Sequence, residues 1–474
     1  MDVTYLLRVA AYALIFGPGI AVMLTHSLIY LTSRARHNAL REVGVDVSRK
    51  AIDGLTVLIP IKGEPEEVVL ELVENVASAV RGLSRDYEVM IVSDDPYDEI
   101  INVKDRVEGL ARKLGLKNFN FIIRTEGAKG RSGALSWGVL KARYEAVLII
   151  DVDTRLETGA LDKVVKCLEL GYDFCVCRWV GYTYRKTKLG VVLSKSMKYV
   201  VDVLYEGRSR LGLPIYPLGS GTAFKKEVLL KVGLWDPNVV QDDMHIGTKL
   251  FKVGTTSAFL NDALIKVSVP SSFNAFRIQQ GRWAYGAMEA LRKGYRNILS
   301  SKYGFKVKLE LMLFLCQYVP LTTIALSTLL IPLLTLSLRT DFLKPDLLTA
   351  SFFTIPLALY GFSMYSSTKD LSAGRLRALR SLGSAAAFTA AISFTTLIYT
   401  LMGLTTNKFK YVVTPKGSKE SVKSNFTFEL IILTYLTIVG FVSVFYGYIY
   451  TGLWLWVLAL GLLYTIINAE KIVK

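Results

Sequence analysis

Carboxylates stand at the ends of several short apolar runs. Asp151 and Asp153 follow Ala146-Val147-Leu148-Ile149-Ile150, Asp94 and Asp95 follow residues 87–92, and Glu64 comes shortly after residues 55–60. Two carboxylates two residues apart at a fraying strand can both reach one Mg2+ or Mn2+. These hard ions take oxygen ligands and bind diphosphates. The bland alternative is a solvated turn. Two other devices for phosphate, G-x-G-x-x-G after the first strand and G-x-x-x-x-G-K-[ST], are missing. Their absence argues against a dinucleotide oxidoreductase and a P-loop NTPase. What remains is a diphosphate handled by a metal on carboxylates.

The elements that must position these groups alternate. Residues 55–60, 87–92, 118–124 and 146–150 are rich in β-branched and apolar side chains, and residues 67–80, 102–114 and 135–142 have helical spacing. Alternation predicts an α/β domain with a mostly parallel sheet and helices on both faces. Ligands of such sheets sit at the carboxyl ends of the strands, where the acidic residues lie.

The whole chain is a mixture. It has 474 residues, 51% hydrophobic and 20% charged, with a formal net charge of +17. That is too apolar for a simple soluble enzyme and excludes intrinsic disorder. Residues 5–32 form an apolar run long enough to span, followed at once by Arg34, Arg36, His37 and Arg41. Lys and Arg stay cytoplasmic, so this run predicts an anchor with its amino end outside. Further runs at 311–338, 347–367, 430–450 and 453–468 predict two helical hairpins. Residues 382–406 are rich in Ala, Ser and Thr. As a span they would put Lys408, Lys410, Lys416, Lys419 and Lys423 outside; as an interfacial helix they keep these in the cytosol with Arg375, Arg377 and Arg380. The charge rule favours the interfacial helix, giving five spans in a multi-pass cell-membrane protein. Much of the positive charge then faces anionic membrane lipids, and nucleic acid is not an expected partner. Asn425-Phe426-Thr427 is a glycosylation triplet that this topology leaves in the cytosol. A C-x-C at Cys175 and Cys177, with Cys167 nearby, is a poor zinc site and reads as buried thiols in a reducing cytosol.

In order along the chain, the motifs resemble those of the membrane-embedded family-2 glycosyltransferases, which include cellulose, chitin and hyaluronan synthases. Ile59-Pro60-Ile61-Lys62-Gly63-Glu64 looks like their opening P-x-x-N-E stretch, with Gly63 for Asn. Asp94-Asp95-Pro96 resembles D-D-G, and Gly130-Arg131-Ser132-Gly133-Ala134-Leu135-Ser136 resembles G-K-A-G-A-L-N. Asp151-Val152-Asp153 sits where D-x-D belongs. Gly219-Ser220-Gly221-Thr222 looks like the acceptor loop, and Gln241-Asp242-Asp243 resembles T-E-D. Gln279-Gln280-Gly281-Arg282-Trp283 is a complete Q-x-x-R-W. Tyr411-Val412-Val413-Thr414-Pro415-Lys416 is similar to the gating-loop pattern F-x-V-T-x-K.

The resemblance implies a GT-A domain and an inverting transfer. It implies Asp153 and Asp151 as metal ligands. Glu64, Asp94, Asp95, Lys129, Arg131, Asp151, Gln279, Arg282 and Trp283 would bind the nucleotide sugar. Gly219, Ser220, Gly221, Thr222 and Trp283 would face the acceptor. Asp243, with Asp242 beside it, would be the base, and Tyr411, Val413, Thr414 and Lys416 would belong to a mobile gate. Plainer readings stand beside these: Asp242 and Asp243 as helix caps, Trp283 as a membrane-interface anchor, Lys129 and Arg131 as solvated charges, Asp94 and Asp95 as turn formers. His245 receives no role. The expected organisation is an anchor and basic linker at 1–49, a cytosolic GT-A domain at 50–270, interfacial helices at 271–306, a hairpin at 307–368, an interfacial helix at 369–406, a gating-like loop at 407–426 and a hairpin at 427–474.

The leading expectation is a processive synthase that polymerises a UDP-sugar with Mg2+ or Mn2+ and passes the growing glycan out. The alternative is a single-addition enzyme with a lipid acceptor. A transporter with a nucleotide-sugar-sensing domain would need charged groups along a membrane path, where the sequence offers chiefly Glu310 and Glu429.

Overall fold

The computed structural model describes residues 3–36, 51–407, 409, 412–420 and 423–473. Tyr411, Lys408, Lys410 and the basic linker from His37 onward lie outside them. The soluble domain is built on one eight-stranded sheet: β1 Gly54–Ile61, β2 Asp86–Ser93, β3 Phe119–Ile123, β4 Ala146–Ile149, β5 Thr154–Leu156, β6 Phe174–Tyr182, β7 Thr222–Lys225 and β8 Ser257–Ser268, in the order β3-β2-β1-β4-β7-β6-β8-β5.

β1 is buried along its whole length. Val57 and Ile59 pack with Val68, Leu72 and Val76 of the helix Glu66–Val80 on one face. Leu58 packs with Leu135 and Val139 of the helix Arg131–Lys141 on the other. A fully buried side chain of this kind contributes about 1.5–3 kcal/mol. Both faces are covered, so the strand reads as a continuous apolar run.

The strands β3, β2, β1 and β4 are parallel, as the alternation predicts. Strand order reverses about β1, which opens a crevice at the carboxyl ends of β1 and β4. Beyond β4 the sheet departs from the parallel expectation, because β7 runs antiparallel to β4, with Ile149 opposite Thr222. Its short length and the Gly-Ser-Gly turn before it hid this strand from the sequence. The antiparallel register matters, since it brings the loop entering β7 to the end of β4.

Helices Val319–Leu338, Leu347–Leu371, Thr427–Phe445 and Ile449–Asn468 are long and apolar enough to cross a membrane. Their outward side chains, among them Leu333, Phe441, Phe445, Val457 and Leu460, are exposed, as a lipid-facing surface requires. The chain is a membrane protein.

Four boundaries differ from expectation. Residues 5–32 are two helices bent by 56° at Phe16, because Pro18 in the first turn of the second cannot continue the ladder of the first. The run 311–338 breaks before Val319. Its start belongs to the helix Phe305–Leu315, whose Leu311, Phe314 and Leu315 pack on the soluble domain. Residues 382–406 are part of two helices, Arg375–Ala391 and Ser393–Thr405, bent by 50°. The last hairpin turns at Gly447, at φ 84°, and not at Thr451-Gly452. Gly452 instead lets the arms close, since a Cβ there would lie 2.5 Å from Val444.

One further expectation fails. Cys167 and Cys175 are not free thiols but a disulfide linking the helix Ala160–Glu169 to β6, with Cα atoms 6.6 Å apart. Both are fully buried. Cys177 remains a buried thiol, as expected.

Candidate active site

The crevice is an electrostatic network centred on Arg131. This residue opens a helix whose preceding Gly130 adopts φ 89°. Its Nη1 donates to both oxygens of Asp242 at 2.7 and 2.6 Å, and its Nε and Nη2 donate to Asp151 Oδ1 at 3.2 and 3.1 Å. Nη2 also donates to the carbonyl of Gly219. One guanidinium thus ties the end of β4, the loop before β7 and the helix Asp242–Val253 together. Burial opposes its charge, but Asp151 and Asp242 outweigh that and hold its pKa above the ordinary value.

Asp242 and Asp243 occupy the first turn of their helix, where negative charge is favoured. Neither caps it: Gln241 is the N-cap and its side chain accepts no capping bond. Asp243 Oδ1 accepts from Met244 N at 2.7 Å and from Gln241 Nε2 at 2.9 Å. Burial first, and Asp242 next, push the Asp243 carboxyl up to about 6 against the pull of Arg131. The loop before β7 passes close by. A Cβ on Gly219 would stand 3.2 Å from Asp243 Oδ2, so a larger residue there would crowd this oxygen.

The Q-x-x-R-W motif lies on the helix Phe273–Leu299. This helix meets the Asp242–Val253 helix at two glycines: a Cβ on Gly286 would lie 2.4 Å from Gln241, and one on Gly294 2.6 Å from Thr248. Buried Glu289 accepts from Val240 N at 2.7 Å and fixes the approach. Half-buried Trp283 packs on the small cluster of Ala284, Ala287 and Tyr318, which Met244 and Tyr399 also border. Gln279 Oε1 accepts from Gln280, whose own Oε1 accepts from Tyr318.

The loop 412–420 enters the crevice. Lys416 Nζ lies 3.1 Å from Asp153 Oδ1 and 3.6 Å from Glu64 Oε1. Burial disfavours this ammonium, yet Asp153 and Glu64 raise its pKa. Burial likewise raises the Glu64 carboxyl, with Lys416 opposing. Lys419 Nζ donates to Gly63 O at 2.7 Å, and Ser418 bonds to Glu67. Thr414 is buried with its hydroxyl unpartnered, and Val413 is exposed.

The structure therefore brings together Glu64, Arg131, Asp151, Asp153, Gly219, Asp242, Asp243 and Lys416. Others among the expected site residues have protein partners. Asp94 accepts from Arg124 Nε at 2.8 Å and from Gly130 N, with its side chain 2% exposed. Asp95 accepts from Gly63 N at 2.6 Å and Ser93 Oγ at 2.8 Å. Both hold the loops that border the crevice. Ser220 and Thr222 are buried: Ser220 Oγ accepts from Asp151 N at 3.0 Å, and Thr222 Oγ1 bonds to Leu218. A Cβ on Gly221, at φ 78°, would strike Ile265 at 2.0 Å. These three hold the loop, and only Gly219 borders the cleft. Lys129 is exposed on the loop before Arg131. Sequence reasoning missed Arg124, Glu289 and Glu420. Their partners are 30, 49 and about 150 positions away, and no local pattern signals such pairs.

Asp151 and Asp153 carry different cations here, Arg131 and Lys416. Among the described residues no three His, Cys, Asp or Glu side chains converge as a metal cage. That donor set fits Mg2+ or Mn2+, which are held by one or two carboxylates together with substrate phosphates. A cation already sits between Asp153 and Glu64, the ammonium of Lys416.

Comparison with known proteins identifies the family. Residues 56–232 match the model for glycosyl transferase family 2, and residues 146–365 match that for glycosyl transferase family group 2. A "probable glycosyltransferase" of Sulfolobus acidocaldarius is 32% identical over 95% of this chain and 96% of its own length. The poly-beta-1,6-N-acetyl-D-glucosamine synthase of Staphylococcus aureus is 22% identical over 58% of this chain and 63% of its own. Among solved structures, a mannosyltransferase of Pyrobaculum calidifontis with GDP-Man and Mn2+ aligns at TM-score 0.49 and 17% identity over 82% of this chain and 98% of its own. The sheet and its acidic crevice are those of a GT-A domain, joined to a bundle of apolar helices. With its motifs, its matched domains and a relative along nearly its whole length, the chain belongs to the family 2 glycosyltransferases.

Proposed function

We propose that this protein is a processive, inverting glycosyltransferase. It takes a UDP-sugar on the cytosolic face, extends a β-linked polysaccharide and passes it out between its own spans. The observation that carries the reading is the loop 412–420, which puts Lys416 on Glu64 and Asp153 while its flanks are tied to the Q-x-x-R-W helix. Arg292 donates to Thr406 O at 2.9 Å on one side, and Asn274 N donates to Ser424 Oγ at 2.7 Å on the other. A lid fastened in this way can cover a donor while the acceptor end stays at Trp283. The likeness to the poly-beta-1,6-N-acetyl-D-glucosamine synthase supports the polymerising activity.

In the reaction, an acceptor hydroxyl attacks the anomeric carbon of the donor. The new C–O bond forms as the bond to the diphosphate breaks, on the opposite face, so the configuration inverts. Asp243 takes the hydroxyl proton on Oδ2, the oxygen facing Gly219. Lys416 and Arg282 offset the charge of the departing diphosphate. Trp283 stacks on the acceptor ring. A divalent ion on Asp153 would supply Lewis-acid stabilisation of the diphosphate when bound.

The five-span topology is part of the proposal. Lys195 Nζ bonds Ser372 Oγ at 3.1 Å, and Lys416 bonds Asp153, so both flanks of the bent pair at 375–405 meet the catalytic domain. A 50° bend cannot reverse a helix, and the pair fits a shallow arch in the inner leaflet better than a span. The carboxyl end also returns to the domain, with Val473 N donating to Lys186 O at 2.7 Å. At the far end Asp346 pairs with Arg8 at 2.7 Å, and Asp341 accepts from Tyr450 N at 2.8 Å. Glu310 and Glu429 are paired with Arg208 and Arg277, which supports a structural role for both carboxylates.

The purified full chain, given a panel of UDP-sugars with Mg2+ or Mn2+, should release UDP and yield long products. A lipid carrying one or two sugars would replace the polymerising reading with single addition. Cysteines at Ser418 and Lys423 should react with an impermeant thiol reagent only in inside-out vesicles. Labelling from outside would overturn the topology.

A further inference from the structure

Glu420 does something the motifs do not account for. It is a carboxylate only 4% exposed, at the end of the loop that carries Lys416. Its Oε1 accepts from Ser271 N at 2.8 Å, Ser272 N at 2.7 Å and Ser272 Oγ at 3.0 Å, and its Oε2 accepts from Ser271 Oγ at 2.8 Å. Ser272 is itself the N-cap of the Phe273–Leu299 helix. A buried carboxylate holding four donors at a helix amino end is a strong tie, reinforced by the helix dipole. Glu470 adds a neighbouring tie, accepting from Phe273 N at 3.1 Å.

We propose that Glu420 is a positioning residue: it latches the loop to the amino end of the Q-x-x-R-W helix and so sets the Lys416 ammonium on Asp153 and Glu64. This rests on the reading of the loop as a donor-site lid. The geometry gives the latch a definite consequence. Lys416 sits four residues before a fixed point, so its ammonium is delivered to the carboxylates at high effective concentration. It competes there with any divalent ion until diphosphate oxygens join the contest. The latch also transmits occupancy. Whatever moves Lys416 off Asp153 pulls on the end of the helix that holds Gln279, Arg282 and Trp283.

The test uses the full chain in detergent and reads Mn2+ binding by electron paramagnetic resonance without nucleotide. Lys416→Met removes the competitor and should tighten Mn2+ about tenfold, an ordinary coupling between two sites. Glu420→Ala frees the loop and should tighten Mn2+ by a similar factor. The double variant should gain no more than either single, because both act through one ammonium. A cysteine at Ser418 should label faster in Glu420→Ala than in the parent. Should Glu420→Ala fail to fold, Ser272→Ala weakens the latch from the other side, keeps the backbone donors and should shift Mn2+ affinity in the same direction. Unchanged Mn2+ affinity in Glu420→Ala, or gains that add in the double variant, overturns the latch. The lid reading fails separately. If nucleotide leaves Ser418 labelling unaltered in the parent while Glu420→Ala still tightens Mn2+, the latch stands without a lid. If nucleotide protects Ser418 equally with and without Glu420, the lid stands without the latch.

Discussion

The crevice holds two acidic pairs, and the chain equips them differently. Asp151 and Asp153 each face a cation, Arg131 and Lys416. The same Arg131 also donates to both oxygens of Asp242. Asp243 is left with a backbone N–H and an amide, neither of which can neutralise it. The difference separates two kinds of chemistry. Carboxylates already facing mobile or shared cations form a seat that a stronger cation can take. A buried carboxylate denied a cation holds its proton more tightly and works as a base near neutral pH. Adjacent carboxylates in sequence are therefore not equivalent, and the partners decide the role.

The largest expected effect comes from the first pair. Asp153→Asn should remove the cation seat and lower UDP release by roughly 10³-fold, several kcal/mol of lost diphosphate stabilisation. EDTA should mimic it, and Mg2+ or Mn2+ should reverse the chelation but not the substitution. Full activity in EDTA would break the comparison at its first term.

Next comes Asp243→Asn, which should reduce turnover by about 10²–10⁴-fold while nucleotide-sugar binding survives. Asp242→Asn should act more weakly, because its main task is to hold Arg131. Equal losses from both would mean that the pair works as a unit and that the distinction drawn between its members is wrong.

A smaller and sharper effect lies in pH. With Asp243 pushed up to about 6 from an ordinary 3.8, kcat/KM should fall as pH drops through about 6. Arg131 lowers this pKa, so Arg131→Met should move the acid limb to higher pH. Stability runs the other way. A carboxyl whose pKa is raised on folding binds its proton more tightly in the folded state, so its contribution falls as pH rises from about 3.8 to 6. A limb that ignored Arg131 would show that the guanidinium does not set the base.

What was legible in the sequence follows from distance along the chain. The first four strands and their helices were readable because apolar periodicity is local, and the carboxylates were readable because they end those strands. The antiparallel β7 and the three-residue β5 were not, since four or three residues carry no period. The kinks at Phe16 and Ile392 escaped for a related reason: hydropathy records that a run is apolar, not that its axis turns. Asp94 illustrates the limit within the site. Its type and place pointed to a nucleotide contact, but its partner Arg124, thirty positions on, could not be read from them. Lys416 and Asp153 lie 263 positions apart, and only the fold could put an ammonium on that carboxylate.

The smallest effect on catalysis, and the best control for the two pairs, is expected from the disulfide. Cys167–Cys175 closes a loop with a sequence separation of 8 and is fully buried in the core on one face of the sheet. It carries no charge, so its loss should leave the acid limb and the Mn2+ affinity where they are. In the chain-entropy model a loop this short contributes about 2.5 kcal/mol. Cys167→Ser should therefore lower the unfolding free energy of the soluble domain by about that amount, and should change UDP release by less than about twofold at temperatures where the domain stays folded. A thiol count on denatured, unreduced protein should find two reactive cysteines, Cys177 and Cys316, out of four. Four reactive thiols would mean that the bridge is not formed in the protein. A bridge that is present but whose loss shifts the acid limb would mean that packing beneath the sheet, and not Arg131 alone, sets the pKa of Asp243.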